Sequence, residues 1–463
     1  MTPREYLGQA VIAAIDATRA VRPATRAGER FFREGLRFRA SAEGWGESQR
    51  GEWMLRRLRA VVRRAARETP FYRERFRTAG FDPDGDFTFD DYGRLPVLER
   101  EDITEGIASM IVERVPPAVR RLAGTGGSTG VPLQYWSGPE ERGWRVSGQV
   151  HFMRRLGVPR GVRTAFLWGH HIDQRERTQW RERLRDAVTN RRWYDCFRLS
   201  PELLLQYHEE LRGYRPACLT AYASALDSLA EVLLANGLRA DYPTTRIITG
   251  GEKLWAHQRA RVEAAFDAPL HEQYGSREAG LIGMQLDPRR SLAFTVDFAN
   301  AFVEPATPGG EADILVTKLH ADAMPMLRYR IGDVARFPVT SRPGHPAFEL
   351  DEILGRRLDR LVLPDGRWLH GIGIPHLMKD FPLRQYQVRQ NADYTIDVLV
   401  VPNDMLSDPD ERRIAEVMGR NLPGLAVRVV RVPEIARTSA NKWRPVVSLV
   451  EAGDAAAPLS PAS

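Results

Sequence analysis

The sequence predicts an α/β protein of two domains, a large N-terminal domain of layered sheets and helices over 1–355 and a small α+β domain over 356–452. Three observations predict it. The chain has 463 residues, 43% of them hydrophobic, enough for a large core and more than one domain. Strand-like apolar runs alternate with helical ones over 160–355, the pattern of a sheet with helices on its faces. After Gly355-Arg356 a helix with flanking strands occupies about 100 residues, a size that folds as a unit.

Taken in order, residues 1–120 read as mostly helical. Segment 7–18 has the spacing of an amphipathic helix. Arg4, Glu5, Asp16 and Arg19 interrupt the opening residues, which lack the apolar core of a secretory leader. The densest basic stretch is Arg56, Arg57, Arg59, Arg63, Arg64 and Arg67. It interleaves with Met54, Leu58, Val61, Val62 and Ala65 at helical spacing and reads as a solvated helix face. Pro70-Phe71-Tyr72 and a polar turn region, 82–91, follow. In the middle, 163–169 and 246–249 read as strands, and 201–212 and 223–236 as helices. From 293 the pattern is strand-rich, with strands at 293–303, 311–319 and 334–338. Beyond the boundary, strands at 394–401 and 426–432 flank a helix at 409–421. The end, 453–463, is rich in Ala, Pro and Ser and reads as a disordered tail. No internal repeat is present.

Composition excludes several classes. The net charge is +7, but the arginines are dispersed among Asp and Glu, with no aromatic-rich ribbon or nucleic-acid motif, so no nucleic-acid partner is expected. No apolar run approaches the roughly 18 residues of a transmembrane helix. Two cysteines, Cys196 and Cys218, make no CxxC pair or metal-ligand spacing, which fits a reducing cytoplasm. Of 67 basic residues only Lys253, Lys318, Lys379 and Lys442 are lysine. Arginine is a planar fork and lysine a compact point charge, so a lysine kept against this bias is a candidate for work arginine cannot do.

The most informative segment is Ala123-Gly124-Thr125-Gly126-Gly127-Ser128-Thr129-Gly130-Val131-Pro132, in which seven of ten residues are Gly, Ser or Thr. Glycines let a backbone turn tightly and bring N–H groups to an anion, so it reads as a phosphate cradle. It is neither common phosphate loop. The G-x-x-x-x-G-K-[ST] pattern meets Thr129 or Val131 where its second glycine belongs, and G-x-G-x-x-G meets Thr129 in place of its third.

Four further segments follow in order: Ile248-Thr249-Gly250-Gly251-Glu252; Gln273-Tyr274-Gly275-Ser276-Arg277-Glu278-Ala279-Gly280; Leu327-Arg328-Tyr329-Arg330-Ile331-Gly332-Asp333; and Gly355-Arg356-Arg357-Leu358-Asp359, with Arg437-Thr438-Ser439-Ala440-Asn441-Lys442 near the end. With the loop, this series resembles the adenylate-forming superfamily of acyl-CoA synthetases, adenylation domains and luciferases. Glu68-Thr69-Pro70-Phe71-Tyr72-Arg73 and Leu95-Pro96-Val97-Leu98 resemble N-terminal segments of its phenylacetate–CoA ligase-like and CapK-like branch. The resemblance covers about residues 65–450 and implies a large adenylate-forming domain with a small mobile one.

It also implies a chemistry: ATP and a carboxylic acid give an acyl-adenylate and pyrophosphate, and the acyl group then passes to a thiol, of CoA or a carrier, or to an amine. Thr125, Gly126, Gly127, Ser128, Thr129 and Gly130 would hold the β- and γ-phosphates. Glu278 would ligate Mg²⁺, which needs few protein carboxylates. In the segment Gln273, Tyr274, Gly275 and Ser276, Tyr274 would stack on adenine, bordered by Gly250, Gly251 and Glu252. Asp333 would bind the ribose hydroxyls, with Arg356 near the ribose at a hinge shared with Asp359. Lys442 would bridge the substrate carboxylate and the α-phosphate. For the acid itself, Trp168, His170, Tyr222 and Ala223 are the expected lining. The chain departs from the family pattern at Val131, Asn441 and Leu358, and the segment Leu363-Pro364-Asp365-Gly366-Arg367 lacks an Arg-Gly element of many CoA ligases, which puts CoA as acceptor in question. Transfer of AMP itself to a small molecule, and a non-catalytic nucleotide-binding homologue, stay open as alternatives.

Overall fold

A computed structural model describes residues 23–124, 133–168, 186–196, 199–356, 360–364, 368–370, 374–378, 381–402, 406–422, 424–435 and 445–450. Two compact units result: Met1–Ile331 with Ala335–Ile353, and Gly332–Val334 with Leu354–Ser463.

The N-terminal helical spacing produces α1 (Pro23–Ser41), α2 (Glu47–Glu68), α3 (Pro70–Thr78), α4 (Phe89–Gly93) and α5 (Arg100–Gly106). Met54, Leu58, Val61, Val62, Ala65 and Ala66 form the buried stripe of α2. Thr69 ends α2 and starts α3, its hydroxyl donating to the Ala65 carbonyl at 2.7 Å and accepting from Tyr72 N at 3.4 Å, with Pro70 in the first turn. Arg57, Arg59 and Arg64 of α2 correct the sequence expectation of a solvated face, while Arg56 and Arg67 are exposed as expected. Arg57 and Arg64 both pair with Glu140, Arg59 donates to the Phe87 carbonyl, and Arg67 pairs with Asp84. Long guanidinium stems lie along apolar surface and deliver the fork to a distant carboxylate, which helical spacing alone does not reveal.

Next come an antiparallel pair, β1 (Arg121–Gly124) and β2 (Gln134–Ser137), and helix α6 (Pro139–Arg155). Asp322 caps α6 from far along the chain, accepting from Glu140 N at 2.9 Å and Glu141 N at 3.4 Å. Gly138 leaves room for this, since a Cβ there would lie 2.1 Å from Asp322 Oδ1.

The α/β region consists of β3 (Thr164–Trp168), β4 (Arg191–Asp195), α7 (Pro201–Tyr214), β5 (Cys218–Ala221), α8 (Ala223–Ala235), β6 (Arg246–Gly250), α9 (Ala256–Ala265), β7 (Leu270–Ser276), β8 (Gly280–Met284) and β9 (Phe294–Val296). After β10 (Ala301–Pro305), β11 (Gly310–Lys318) and β12 (Tyr329–Phe337) come β13 (Glu349–Leu350) and β14 (Glu352–Arg356). The large sheet has the order β13-β9-β8-β7-β6-β5-β3-β4, parallel from β4 to β7. A second sheet has the order β10-β11-β12-β14. Leu204, Leu211, Leu226, Leu229 and Val262 of α7–α9 cover one face of the parallel strands, against Leu167, Leu219 and Ile247. Phe152 of α6 and Leu156 just beyond its end cover the other, against Cys218, Ile248, Leu281 and Met284. The parallel strands therefore end together at one edge, carrying Trp168, Tyr222, Gly250 and Ser276.

The second unit contains β15 (Arg360–Val362), β16 (Trp368–His370), α10 (Ile374–Met378), β17 (Leu383–Gln390), β18 (Ile396–Pro402), α11 (Asp408–Asn421), β19 (Val427–Arg431) and β20 (Val446–Ser448). Its main sheet runs β19-β18-β17-β20, and Ile414 and Met418 of α11 share a core with Val398 and Val400.

Three differences from the sequence reading have physical causes. The run 293–303 is two strands, because Asp297 and Asn300 close a turn inside it, with Asn300 N donating to the Asp297 carbonyl at 2.9 Å. Arg39 holds that turn through a buried two-pronged pair with Asp297, at 3.0 and 2.8 Å. The strand expected at 334–338 begins at Tyr329, so Gly332-Asp333 lies within a strand, and Gly332–Val334 groups with the C-terminal unit rather than with 1–355. Finally, β17 and β20, neither expected, complete the small sheet through non-local pairing. The expected helix at 7–18 and tail at 453–463 lie outside the described residues.

A buried polar cluster beneath α6 makes a testable prediction. His320 stacks on Trp144, with ring centroids 3.8 Å apart. Its Nε2 lies 2.9 Å from the Ala299 carbonyl, which only accepts, so Nε2 carries the proton and Nδ1 accepts from Arg57 at 2.9 Å. Burial pushes the imidazole down to about 3. Burial alone raises the neighbouring Glu140 carboxyl, but the charges of Arg57 and Arg64 oppose it and hold the carboxyl well below its usual range. Because the unfolded chain protonates His320 first, its contribution is present above about pH 6.5 and is lost as pH falls toward 3. In a titration of isotope-labelled histidines, the signal missing from His320→Gln is expected to stay in the neutral form from pH 8 to 5. A midpoint near 6.5 would contradict this burial.

Candidate active site

The carboxyl edge of the parallel sheet is built from segments the sequence singles out. At the end of β6, Gly250 tolerates no side chain, since a Cβ would lie 2.7 Å from Gln273 Cγ, and Gly251 has φ of 78°. Glu252 then turns across to α8, where its Oε2 accepts from Ser224 N at 3.0 Å. A carboxylate at a helix N-terminus meets unsatisfied N–H groups and the positive end of the helix dipole. This contact brings the segments 250–252 and 222–224 together. Tyr222 in turn stacks on Trp168, with ring centroids 3.9 Å apart and planes at 27°. Burial pushes the Tyr222 phenol up to about 12. Ala223 is fully buried among apolar residues of α8, so its side chain packs in the core rather than lining an open surface.

The segment Tyr274–Gly280 is a hairpin turn between β7 and β8. Gly275 permits it, because a Cβ there would lie 2.3 Å from the Gly280 carbonyl oxygen. Gly280 has φ of 77° and Arg145 beside it. Ser276 Oγ accepts from Ala279 N at 3.0 Å, and Asn300 donates to the Ala279 and Leu281 carbonyls at 2.9 and 3.1 Å. Glu278 sits at this turn with 6% of its surface exposed, and Tyr274 is buried at its base.

Behind Glu278 lies a network absent from the sequence reading. Arg277 donates to the Gly124 carbonyl at 3.1 Å, which ties the turn to the last residue of β1, where the glycine-rich loop begins. The Arg277 carbonyl accepts from Arg145 at 2.6 Å and from the Tyr135 hydroxyl of β2. Burial raises the Tyr135 phenol; Arg145 opposes this, while Glu141 and Glu278 push it further up. Lys318 lies over the Tyr135 ring at 5.1 Å and 2.8 Å from Glu141 Oε1, with both charged side chains almost fully buried. Lys318 was legible only as one of the few lysines in an arginine-rich chain, and Arg145, Glu141 and Tyr135 gave no signal.

Lys253 follows Glu252 directly. It pairs with Glu352 at 2.9 Å and lies 4.9 Å from the Trp255 ring; burial lowers its pKa, opposed by Glu352. Two distant motifs are structural anchors. Tyr72 donates to the Pro325 carbonyl at 3.3 Å and accepts from Leu327 N at 3.0 Å. Leu98 pairs with the 328–330 backbone, donating to the Arg328 carbonyl at 3.1 Å and accepting from Arg330 N at 3.0 Å. In the second unit, Asp333 is 8% exposed and follows Gly332, whose φ is 82°. Thr125, Gly126, Gly127, Ser128, Thr129, Gly130, His170, Asp359, Lys442 and the side chain of Arg356 lie outside the described residues.

No family model matches the chain. Among curated proteins, it is 22% identical over 322 residues to Protein CapK of Staphylococcus aureus, covering 67% of this chain and 70% of that one. It is 23% identical over 334 residues to the phenylacetate–coenzyme A ligase of Pseudomonas putida, covering 67% and 71%. The solved structure of 2-hydroxyisobutyryl-CoA ligase in its postadenylation state superposes with a TM-score of 0.65 at 17% identity, over 87% of this chain and 90% of that one. In sequence and in fold the chain is thus similar to the phenylacetate–CoA ligase-like branch of the adenylate-forming superfamily. The layered α/β architecture is that of this superfamily. Among the described residues, no helix is long and apolar enough to cross a membrane, and no group of three His, Cys, Asp or Glu side chains could hold a metal.

Proposed function

We propose that the chain is an ATP-dependent ligase that activates a carboxylic acid. A carboxylate oxygen attacks the α-phosphorus of ATP, the bond to the β-phosphate oxygen breaks, and pyrophosphate leaves with the bonding electrons. The acyl group of the adenylate then passes to an acceptor thiol or amine, and AMP is released. The sequence relatives and structural neighbours, coenzyme A ligases among them, support this reading and make coenzyme A the first acceptor to test. The observation that carries it is the placement of Glu278: a nearly buried carboxylate at a hairpin turn, tied through Arg277 to the start of the glycine-rich loop.

The donor set fits Mg²⁺. A single carboxylate suits an ion that completes its shell with water and phosphate, so a site without a three-ligand cluster is the expected form. Bound there, Mg²⁺ would supply positive charge to the triphosphate. Glu278 would hold it, and Arg145 and Arg277 fix the turn that presents the carboxylate. Gly250, Gly251, Glu252 and Tyr274 border the adenine, Asp333 takes the ribose, residues 125–130 take the phosphates, and Lys442 follows the charge that develops at phosphorus. Both cysteines are free and buried, in keeping with a cytoplasmic enzyme.

Carboxylate-dependent exchange of pyrophosphate into ATP, across aryl, fatty and amino acids, tests the reading. Exchange with some acid, lost in Lys442→Ala, is expected. ATP binding without exchange on any acid would overturn it in favour of a non-catalytic homologue, and a product retaining the mass of AMP would show nucleotidyl transfer.

A further inference from the structure

Beneath the Glu278 turn lie two buried charges that no motif explains. Lys318 ends β11 and Glu141 lies in the first turn of α6, with 5% and 3% of their side chains exposed. Replacing a buried ion pair by apolar side chains is often neutral or stabilising, so stability alone does not account for one. This pair is also incompletely satisfied, since Glu141 Oε2 is buried with no hydrogen bond among the described residues.

What the pair supplies is direction. Glu141 Oε1 lies 2.8 Å from Lys318 Nζ and 3.3 Å from Arg145 Nη1, one turn further along α6. With Nη1 held there, Arg145 donates from Nη2 to the Arg277 carbonyl at 2.6 Å. Its side chain crosses the far end of the turn, where Gly280 leaves room: a Cβ there would lie 2.6 Å from Arg145 Nε. The second donor to the same carbonyl is the Tyr135 hydroxyl, and Lys318 lies over the Tyr135 ring at 5.1 Å. Lys318 therefore reaches both supports of one carbonyl, Arg145 through Glu141 and Tyr135 through its ring. A peptide unit is planar, so the direction of the Arg277 carbonyl fixes the N–Cα bond of Glu278. A compact ammonium meets a ring face and a carboxylate at once, whereas the planar fork of arginine, which this chain prefers elsewhere, needs more room.

We infer that Lys318 and Glu141 are positioning residues for the magnesium site: through Arg145 and Tyr135 they set the peptide plane that aims the Glu278 carboxylate. The inference rests on the placing of Mg²⁺ at Glu278 and adds the buried charges that support it. Without Lys318, Arg145 is the remaining ion-pair partner of Glu141 among the described residues. A buried carboxylate then draws the guanidinium away from the Arg277 carbonyl, and the turn loses part of its hold.

Calorimetry of ATP binding to the full chain, at a series of Mg²⁺ concentrations, tests this without turnover. Lys318→Met is expected to raise the Mg²⁺ midpoint about tenfold. ATP affinity without the ion is expected to stay within about twofold of the parent, because the tie from Arg277 to Gly124 is untouched. Lys318→Arg keeps the charge but not the shape and is expected to fall between the two. The double variant Lys318→Met/Glu141→Leu carries no orphaned charge. It is expected to unfold close to the parent and still show the raised midpoint, which a purely structural pair does not produce. A midpoint within about twofold of the parent in any folded Met or double variant would overturn the inference. Should neither fold, Tyr135→Phe decides: it deletes one donor to the carbonyl, keeps the ring under Lys318, and is expected to raise the midpoint about threefold, no rise being the contrary result. The expected shifts with no pyrophosphate exchange on any acid would overturn the ligase reading alone. ATP binding by the parent that ignores Mg²⁺ would overturn the placing of the ion and this inference with it.

Discussion

Glu278→Gln is expected to lower carboxylate-dependent pyrophosphate exchange by about 10²–10³-fold while leaving the unfolding transition nearly unchanged. Glutamine keeps the volume of glutamate, and the turn is held by groups other than the carboxylate: Ser276 to Ala279, Asn300 to the Ala279 and Leu281 carbonyls, and Arg145 and Arg277 through the backbone. What changes is charge. A neutral amide is a poor ligand for a hard cation, so the Mg²⁺ concentration for half-maximal exchange is expected to rise. A variant that folds, binds ATP and keeps more than about a third of the exchange rate would remove Glu278 from the reaction. Arg277→Ala separates ligand from support: it leaves the carboxylate and removes the tie to Gly124, so ATP binding should weaken more than the Mg²⁺ requirement shifts.

Arg328→Met is expected to destabilise the large unit by about 3–5 kcal/mol. Arg328 and Glu304 form a two-pronged pair at 3.0 and 3.1 Å, with Glu304 fully buried. Burial pushes the Glu304 carboxyl up, and Arg328 opposes it. The same guanidinium donates to the Gly93 and Leu95 carbonyls, and Glu304 accepts from Gly344 N. Removing the arginine strands a buried acid and two buried carbonyls together. The double variant Arg328→Met/Glu304→Met is expected to recover part of the loss, because it removes the orphaned charge. A single-variant loss below about 1 kcal/mol in denaturant unfolding would mean that the pair is hydrated in solution.

The sequence showed the motif arginines but not their tasks. Arg328 and Arg330 lie beside Asp333 in one segment, yet Arg328 serves Glu304 and Arg330 serves Glu99 and Asp313. The arginines of α2 misled in the same way, since a face that looks solvated in one helix is a clasp once Glu140 is brought to it.

What the sequence determined by itself is local or strongly patterned. Helical spacing marks α2, α7 and α8, and short apolar runs mark β3 and β6, because apolar period reports which face is buried. Glycine marks Gly250, Gly275 and Gly280, where any Cβ would collide. Motif order alone carried the resemblance to the adenylate-forming superfamily, to which the sequence relatives are also similar. Only the tertiary structure decided which distant groups meet: Arg277 with Gly124, Lys318 with Glu141 and Tyr135, Glu252 with Ser224, and Gln149 with Gln273. These contacts depend on strand order, register and helix placement. Those follow from the packing of whole elements, whereas a side chain's spacing in sequence records only its neighbours on its own helix or strand.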